Sequence, residues 1–412
     1  MTRRSQSMTH PQRHNYEIDP YLWVIFLTAV ASTLPGLILG FSHSEVPPQL
    51  GAILFGAAIF GAAFILSWAS EAAEIDISKS LAVAILALIA VLPEYAVDFV
   101  FTWKAGKGIG NSHDNAIANM TGANRLLVGF GWPVVLLIYG WAKRKKEIIL
   151  DESQRVEIFY LAMATLYSFT IPLKGSLNLI DTVVLVILFG LYIRRSAQME
   201  SAEPEFVGPV KIIANMQNLP RRIMTIAMFV FSGVVIFFVA EPFTESLVVS
   251  AQVWGISEFR AVQWIAPLAS EAPEFIVACT WAFRGAAGSA LKALISSKVN
   301  QWTLLVGTLP LVYAMSSGHI TPFVLSDNQD HELWLTAAQS LYAVAVLVNL
   351  RFGRPEALIL FGLFIFQLTF QETHVVVTFI YLALAAVAHI ISRKSLIPAM
   401  MTGLGLKSRT RR

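Results

Sequence analysis

Residues 77–106 read ISKSLAVAILALIAVLPEYAVDFVFTWKAG, and residues 256–285 read ISEFRAVQWIAPLASEAPEFIVACTWAFRG. With one single-residue gap, the two segments align so that Pro93 matches Pro273 and Glu94 matches Glu274. The correspondence continues downstream, where Leu-Leu-Val-Gly at 126–129 recurs at 304–307. Because the separation between the copies stays nearly constant, the pattern indicates an internal duplication rather than a chance motif.

The whole chain has the composition of a protein embedded in a lipid bilayer. Of its 412 residues, 56% are hydrophobic and only 14% are charged, whereas soluble proteins carry about 25% charged residues. Apolar stretches of about 20 residues, enough to cross a hydrocarbon core of about 30 Å, follow one another closely. The pattern predicts an all-α polytopic membrane protein with about twelve transmembrane helices, at 22–41, 51–75, 79–104, 114–141, 156–172, 177–194, 223–250, 258–284, 288–314, 332–350, 355–371 and 373–393.

The basic residues give these predicted helices a direction. Positively charged residues prefer the cytoplasmic side of membrane loops. If the N-terminus is cytoplasmic, most of the 30 Lys and Arg residues fall on that side, and about four fall opposite: Lys104, Lys107, Lys174 and Arg260. We therefore predict a multi-pass protein of the cell (plasma) membrane with both termini cytoplasmic. Its cytoplasmic segments are an N-terminal tail at 1–21, a connecting loop at 195–222 and a basic tail at 394–412.

The duplication divides the predicted helices into two units. A first repeat at 51–194 and a second at 223–371 contain five helices each, and the helices at 22–41 and 373–393 lie outside them. Because five is an odd number of crossings, the second copy enters the membrane upside down relative to the first. The fold expected is a ten-helix core of two inverted five-helix repeats. Secondary transporters commonly have this architecture, with the substrate site at the repeat interface near the midplane.

Each copy places a proline and an acid well inside an apolar helix. A proline in a helix cannot donate to the carbonyl four residues earlier, so Pro93 and Pro273 are predicted helix breaks that free one carbonyl each. In hydrocarbon a freed carbonyl needs another partner, and a cation can be one. The carboxylates of Glu94 and Glu274 follow directly.

A second acid accompanies each Pro-Glu pair. Asp98 lies four residues after Glu94, and Glu271 lies three residues before Glu274, so each pair shares a helix face. An ionisable residue at the bilayer centre costs about 2.5–3.5 kcal/mol on insertion scales, and such residues are usually functional. Oxygen-rich sites suit hard cations, and Ca²⁺ takes about six to eight oxygen ligands. The pattern favours an ion-transport site over acids that merely stabilise kinks.

At these residues the chain resembles the calcium/cation antiporter superfamily, which includes the sodium/calcium exchangers. In that family each of two repeats carries a helix with Pro-Glu, followed by a helix with a Gly-Ser-Asn-type motif. Here the second elements are Asn119–Asn124 and Ser296–Gln301. The resemblance implies exchange of Ca²⁺ or a similar cation for Na⁺ or H⁺, without a cofactor, and with Glu94 and Glu274 as metal ligands. The wider set of predicted cation-binding residues adds Asp98, Glu271, Ser270, Asn119, Asn124, Ser297 and Gln301.

Two bases depart from the family pattern. Arg125 and Lys298 fall within the second-element helices, at or next to positions where the family places Asn, Asp or Ser. Their charges would reduce the net negative charge of the site. One interpretation is that they pair with Asp98 and Glu271. The other is that one of them acts as a built-in cation during transport, and the sequence leaves both open.

The leading hypothesis is a Ca²⁺ antiporter coupled to Na⁺ or H⁺. A Na⁺/H⁺ antiporter on the same scaffold and a non-transporting cation sensor or channel are the alternatives. The chain contains no Walker motif, HExxH or nucleophile elbow, so an ATP-driven pump and a membrane protease are disfavoured and no enzyme activity is expected. The expected partners are membrane lipid and inorganic cations, and not nucleic acid, because the basic residues form no single patch. The oligomeric state stays open.

Overall fold

The computed structural model describes residues 19–42, 44, 46–77, 91–199, 206 and 208–405. Within these residues the chain is mostly helical, and the β-structure consists of four strands of two or three residues each. Residues 78–90, which hold the first part of the predicted helix 79–104, lie outside the described residues. So do most of the predicted N-terminal tail, the end of the C-terminal tail, and residues 200–205 and 207 of the connecting loop.

The described residues before the connecting loop form eight helices and two strands. In chain order these are α1 (Pro20–Ser42), α2 (Pro48–Ala73), α3 (Leu92–Gly106), α4 (Ser112–Leu126), α5 (Trp132–Lys143), β1 (Glu147–Ile149), α6 (Arg155–Ser168), α7 (Thr170–Lys174), β2 (Ser176–Leu177) and α8 (Leu179–Ser196). A π-helical segment, Leu127–Gly131, joins α4 to α5.

The described residues after it form nine helices and two strands. These are α9 (Val210–Ala214), α10 (Asn218–Val253), α11 (Glu258–Arg284), α12 (Ala287–Asn300), α13 (Val306–Ser317), β3 (Phe323–Val324), α14 (Asp327–Leu347), β4 (Arg351–Gly353), α15 (Arg354–Thr369), α16 (His374–Ile391) and α17 (Arg393–Gly403). A second π-helical segment, Gln301–Leu305, joins α12 to α13. Single 3₁₀ turns precede α6 and α16, at Glu152–Gln154 and Gln371–Thr373.

The helices follow the predicted transmembrane segments. Each predicted segment that falls within the described residues coincides with one helix or with two joined helices, and α3 forms the second part of the segment 79–104. Large apolar side chains on the outer helices point outward, such as Phe379, which is 67% exposed. An apolar exterior of this kind fits a lipid environment. Among the described residues, six helical stretches are long and apolar enough to cross a membrane: Pro20–Ser42, Pro48–Ala73, Ser112–Lys143, Glu152–Lys174, Asn218–Val253 and His374–Ile391.

Two helices lie outside the predicted transmembrane segments: α9 in the connecting loop and α17 in the basic tail. The residues of α17 were assigned to the basic tail, but they form a helix that packs against α6. The guanidinium of Arg195 donates to the main-chain oxygen of Thr402 through Nε at 3.2 Å and Nη2 at 3.1 Å. Nothing in the sequence indicated this packing, because the contact joins residues that are far apart in the sequence.

The two repeats share one arrangement of helices. We call α2–α8 the first repeat and α10–α15 the second. In this correspondence α2 matches α10, α3 matches α11, and the joined helices α4–α5 match α12–α13, each with a π-helical segment inside. The matching helices α2 and α10 pack along each other, so the centre of the bundle contains both repeats.

Two strand pairs show that the repeats are inverted. β1 pairs antiparallel with β4, and β2 pairs antiparallel with β3, so every pair takes one strand from each repeat. Equivalent main-chain hydrogen bonds extend both pairs: Leu150 N donates to Leu350 O, and Leu325 N donates to Gly175 O, each at 2.9 Å. The acceptors Leu350 and Gly175 both have positive φ, at 61° and 65°. Since β1 precedes α6 and β2 follows α7, the two pairs lie at opposite ends of one membrane crossing.

Cysteine substitution tests this topology in a Cys279→Ser background. Ile149 and Arg351 are Cα partners in one strand pair, and Ser176 and Val324 are partners in the other. Because facing residues of antiparallel strands are about 4.5–5.5 Å apart, cysteines at each pair should form a disulfide under mild oxidation. The mixed pair at 149 and 324 should not form one.

The same variants report on membrane sidedness. A membrane-impermeant maleimide should label the single variants Ile149→Cys and Ser176→Cys from opposite sides of sealed vesicles. Labelling of both from one side would contradict the inverted arrangement.

Candidate cation-binding site

Four acids lie between the two repeats. Glu94 and Asp98 come from the first turns of α3, and Glu271 and Glu274 come from the middle of α11. Glu94, Asp98 and Glu271 are each only 1% exposed, and Glu274 is half-buried. Electrostatic interactions connect Glu94 with the other three acids. The structure therefore brings together all four predicted carboxylates.

Two amide side chains hold these acids in equivalent ways. Asn119 Nδ2 donates to Asp98 Oδ1 at 2.7 Å, and Gln301 Nε2 donates to Glu271 Oε1 at 2.7 Å. Both amides come from the second element of the same repeat as the acid they hold. Each amide thereby orients one carboxylate and leaves its own oxygen available.

A set of enclosed oxygens results from this arrangement. Six side-chain oxygens at the site have no hydrogen-bond partner among the described residues, although all are almost inaccessible to solvent. A buried acceptor without a partner costs about 1–3 kcal/mol, and more if it is charged. The oxygens are Glu94 Oε2, Asp98 Oδ2, Glu271 Oε2, Glu274 Oε2, Asn119 Oδ1 and Gln301 Oε1.

The two predicted serines occupy different surroundings. Ser270 is buried beside Glu94, and its hydroxyl also donates to Ala266 O at 3.3 Å in the preceding turn. Ser297 is half-buried and has no hydrogen bond to any of the four acids in the described part of the chain. Ser270 therefore lies at the acids.

One contact at the site was missed by the sequence analysis. Tyr95, the residue after Glu94, donates its hydroxyl to Asn300 Oδ1 at 2.9 Å. The bond crosses from the first repeat to the second. The sequence offered little reason to select Tyr95, because it aligns with Phe275, which has no hydroxyl.

Lys298 lies inside the site region and is fully buried. Its ammonium donates to two oxygens of one residue, Asn124 Oδ1 at 2.8 Å and Asn124 O at 3.1 Å. It also lies 4.6 Å from the centre of the Trp302 ring, a favourable position for a cation. Glu271 interacts with it electrostatically, but its hydrogen bonds go to Asn124. Asn124, predicted as a cation ligand, thus binds a cation of the protein itself.

Arg125 pairs with an acid that the sequence analysis did not select. The fully buried guanidinium forms an ion pair with Glu332 on α14 and lies 5.2 Å from the centre of the Trp264 ring. Pairing of Arg125 with Asp98, one of the two interpretations, is therefore wrong. Glu332 escaped notice because it lies at the edge of a predicted segment, where an acid is unremarkable.

Glu332 is itself held by two further side chains. Gln263 Nε2 on α11 donates to Glu332 Oε2 at 2.9 Å, and His374 Nδ1 on α16 lies 2.9 Å from Glu332 Oε1. His374 is buried, and its Nε2 faces Gln367 O at 3.0 Å. Glu332 thereby connects α16, which lies outside both repeats, to Arg125 in the core through its contact with His374.

The prolines act differently in the two helices. Within the described residues, α3 begins at Leu92, so Pro93 is its second residue and Val91 is its N-cap residue. Pro273 does not end a helix, because α11 continues from Glu258 to Arg284 with Pro267 and Pro273 inside it. The predicted break at Pro273 is thus a missing hydrogen bond within a continuous helix, which is how proline kinks helices.

Close packing holds the second element of the first repeat against α11. A Cβ added to Gly122 on α4 would overlap the main-chain oxygen of Gln263 on α11. Small residues allow membrane helices to approach in this way. The contact fixes the distance between the helix that carries Asn119 and Asn124 and the helix that carries Glu271.

The comparisons with known proteins agree with this architecture. The family model described as "Sodium/calcium exchanger protein" matches two stretches, residues 49–197 and 224–372. A solved structure described as the H⁺/Ca²⁺ exchanger CAX is 43% identical in sequence to this chain. The match covers 93% of this chain and 98% of the CAX chain, with a TM-score of 0.90. No curated protein sequence matches the chain.

More distant structures share the fold alone. Native YfkE is 15% identical over 84% of this chain and 98% of its own, with a TM-score of 0.63. The sodium-calcium exchanger NCX_Mj is 19% identical over 84% of this chain and 98% of its own, with a TM-score of 0.51. With two copies of the family model covering most of its length, the chain belongs to the sodium/calcium exchanger family of the calcium/cation antiporter superfamily.

Proposed function

We propose that this cation antiporter exchanges Ca²⁺ for H⁺ by alternating access at the four-acid site, with Glu94 and Glu274 as the principal ligands. One observation carries the proposal: six enclosed oxygens on the two repeats have no hydrogen-bond partner within the described part of the chain. Bare carboxylates in a low-dielectric interior are costly by several kcal/mol each. A bound cation or bound protons would remove that cost.

The donor set favours a hard cation. All six atoms are carboxylate or amide oxygens, which are the ligands that Ca²⁺ uses, typically six to eight at a time. Among the described residues no three acidic, histidine or cysteine side chains form a metal cluster by themselves. Asn119 and Gln301 hold Asp98 and Glu271, so their amide oxygens lie next to two of the acids and would add neutral ligands to the carboxylates.

Competition between Ca²⁺ and protons for the same carboxylate oxygens explains why the protein would exchange the two ions. A carboxylate can bind Ca²⁺ or take up a proton, but the same oxygen atom cannot do both. The site is stable with Ca²⁺ or with protons and unstable when empty, because the four acids repel one another. Only the occupied forms would then change their access from one side to the other.

The choice of H⁺ as coupling ion rests on two points. The relative at 43% identity is described as an H⁺/Ca²⁺ exchanger. In addition, the stretch before the first Pro-Glu pair, Ala90–Leu92, has no hydroxyl side chains, whereas carboxylates able to accept protons are plentiful. We place the protein in the cell membrane with both termini cytoplasmic, because that orientation puts most basic residues on the cytoplasmic side.

A flux experiment tests the coupling. Proteoliposomes with an acidic interior and a neutral exterior should take up ⁴⁵Ca²⁺, and a protonophore should abolish the uptake. Uptake driven only by an outward Na⁺ gradient would instead assign Na⁺ as the coupling ion. Uptake of ²²Na⁺ but not ⁴⁵Ca²⁺ under the pH gradient would identify a Na⁺/H⁺ antiporter.

The two glutamates of the Pro-Glu pairs should be essential. Glu94→Gln and Glu274→Gln should each reduce ⁴⁵Ca²⁺ uptake to background, because an amide cannot supply the charge or take up the proton. Thermal unfolding in detergent should change little, since the amide is close in shape. Glu245→Gln is the matched control, because Glu245 is exposed and lies away from the four acids. Its carboxylate accepts a hydrogen bond from the Lys104 ammonium on α3 at 2.6 Å. Uptake near the wild-type rate in either site variant would remove that glutamate from the mechanism.

Arg125 serves the structure in this proposal. Its charge is compensated by Glu332, so it does not neutralise the four acids. Removing one partner of a buried ion pair costs about 3–5 kcal/mol, because the other charge is left uncompensated. The position in the second repeat that corresponds to Arg125 is Thr303, so the repeat fold does not require a base there.

Double variants can identify the partner of Arg125. Arg125→Gln should lower the thermal unfolding midpoint, and adding Glu332→Gln should restore much of the loss, because no unpaired charge remains. Adding Asp98→Asn instead should restore nothing. Equal rescue by both second substitutions, measured by thermal unfolding with size-exclusion readout, would contradict the assignment.

A further inference from the structure

The surroundings of the Lys298 ammonium resemble a site for a monovalent cation. Two oxygens of Asn124, one from the side chain and one from the main chain, lie 2.8 and 3.1 Å from Nζ. Main-chain carbonyls near irregular helix turns commonly coordinate Na⁺ in transporters. Asn124 lies just before the π-helical segment Leu127–Gly131, and such turns are frequent at functional sites.

The charges around Lys298 support the same reading. Glu271 attracts the ammonium, and the other charged group that it faces, Arg125, is neutralised by Glu332. The indole face of Trp302 covers another side of the ammonium. The position therefore combines hard oxygens, a carboxylate and an aromatic face around one positive charge.

The fold does not itself require a lysine here. Extending the alignment of 126–129 with 304–307 upstream without a gap places Met120 opposite Lys298. Met120 is fully buried on α4, so the equivalent position in the first repeat holds an apolar side chain. The lysine is a feature of one repeat and not of the shared scaffold.

We propose that the Lys298 ammonium occupies a monovalent-cation position of the transport site and thereby excludes Na⁺ from it. A tethered group acts at a high effective concentration, so free Na⁺ would have to displace a charge that cannot diffuse away. Protons bind at the carboxylates and not at the Asn124 oxygens, so they are not excluded. The inference rests on the proposed exchange of Ca²⁺ for H⁺ and assigns Lys298 as a determinant of the coupling ion.

Direct Na⁺ binding tests this assignment without relying on transport. Purified full-length protein in Ca²⁺-free detergent solution is titrated with ²²Na⁺ in a scintillation proximity assay. The wild type should show no saturable Na⁺ binding up to the highest concentration titrated. Lys298→Met, which installs the residue of the first repeat, should bind Na⁺ saturably, with half-saturation at least about tenfold below that concentration. Lys298→Arg is the charge-preserving control and should behave like the wild type.

Each outcome is decisive for the inference. Saturable Na⁺ binding to the wild type would overturn it, and so would a folded Lys298→Met variant that binds no Na⁺. Retained ⁴⁵Ca²⁺ binding reports folding, and Lys298→Gln replaces the methionine variant if that one does not fold. Failure of wild-type ⁴⁵Ca²⁺ uptake under a pH gradient would instead contradict the proposed function, so the two failures can be distinguished.

Discussion

The rest of this structure depends on the burial of four carboxylates between two membrane-embedded repeats. In such an environment each charge must be compensated by hydrogen bonds, an opposite charge or a bound ion. The described residues supply only part of that compensation, through Asn119 and Gln301 on one oxygen of two acids, through Ser270 beside Glu94, and through the nearby Lys298. Under the proposed mechanism the transported ions would supply the remainder, and the empty site would be the least stable state.

The two buried bases divide their tasks, although both lie in second-element helices. Arg125 is paired with Glu332, which His374 and Gln263 also hold, and this cluster attaches α16 to the core. Lys298 has no carboxylate among its hydrogen-bond partners in the described residues and faces the site. The counterparts of the two bases in the other repeat are Thr303 and Met120. A symmetric scaffold therefore carries an asymmetric arrangement of charges.

The sequence predicted the framework because a bilayer imposes simple rules on it. Apolar length fixes the spans, the constant separation of the Pro-Glu pairs reveals the duplication, and an odd helix count inverts the copy. The meeting of Glu94, Asp98, Glu271 and Glu274 follows from that inversion. The partner of Arg125 did not follow, since α14 and α4 are distant in the sequence and only packing brings Glu332 to the guanidinium. The predicted break at Pro273 did not occur within the helix predicted at 258–284, because neighbouring helices can support a segment that lacks one main-chain hydrogen bond.

The inter-repeat contacts at the site connect its chemistry to conformational change. Tyr95 of the first repeat binds Asn300 of the second, and Lys298 of the second binds Asn124 of the first. Glu94 and Ser270 meet in the same way. Any movement of one repeat relative to the other must move with these contacts or break them, and they lie beside the four acids. In the proposed mechanism, the same few side chains would therefore couple ion binding to the relative position of the repeats, as alternating access at an inverted-repeat interface requires.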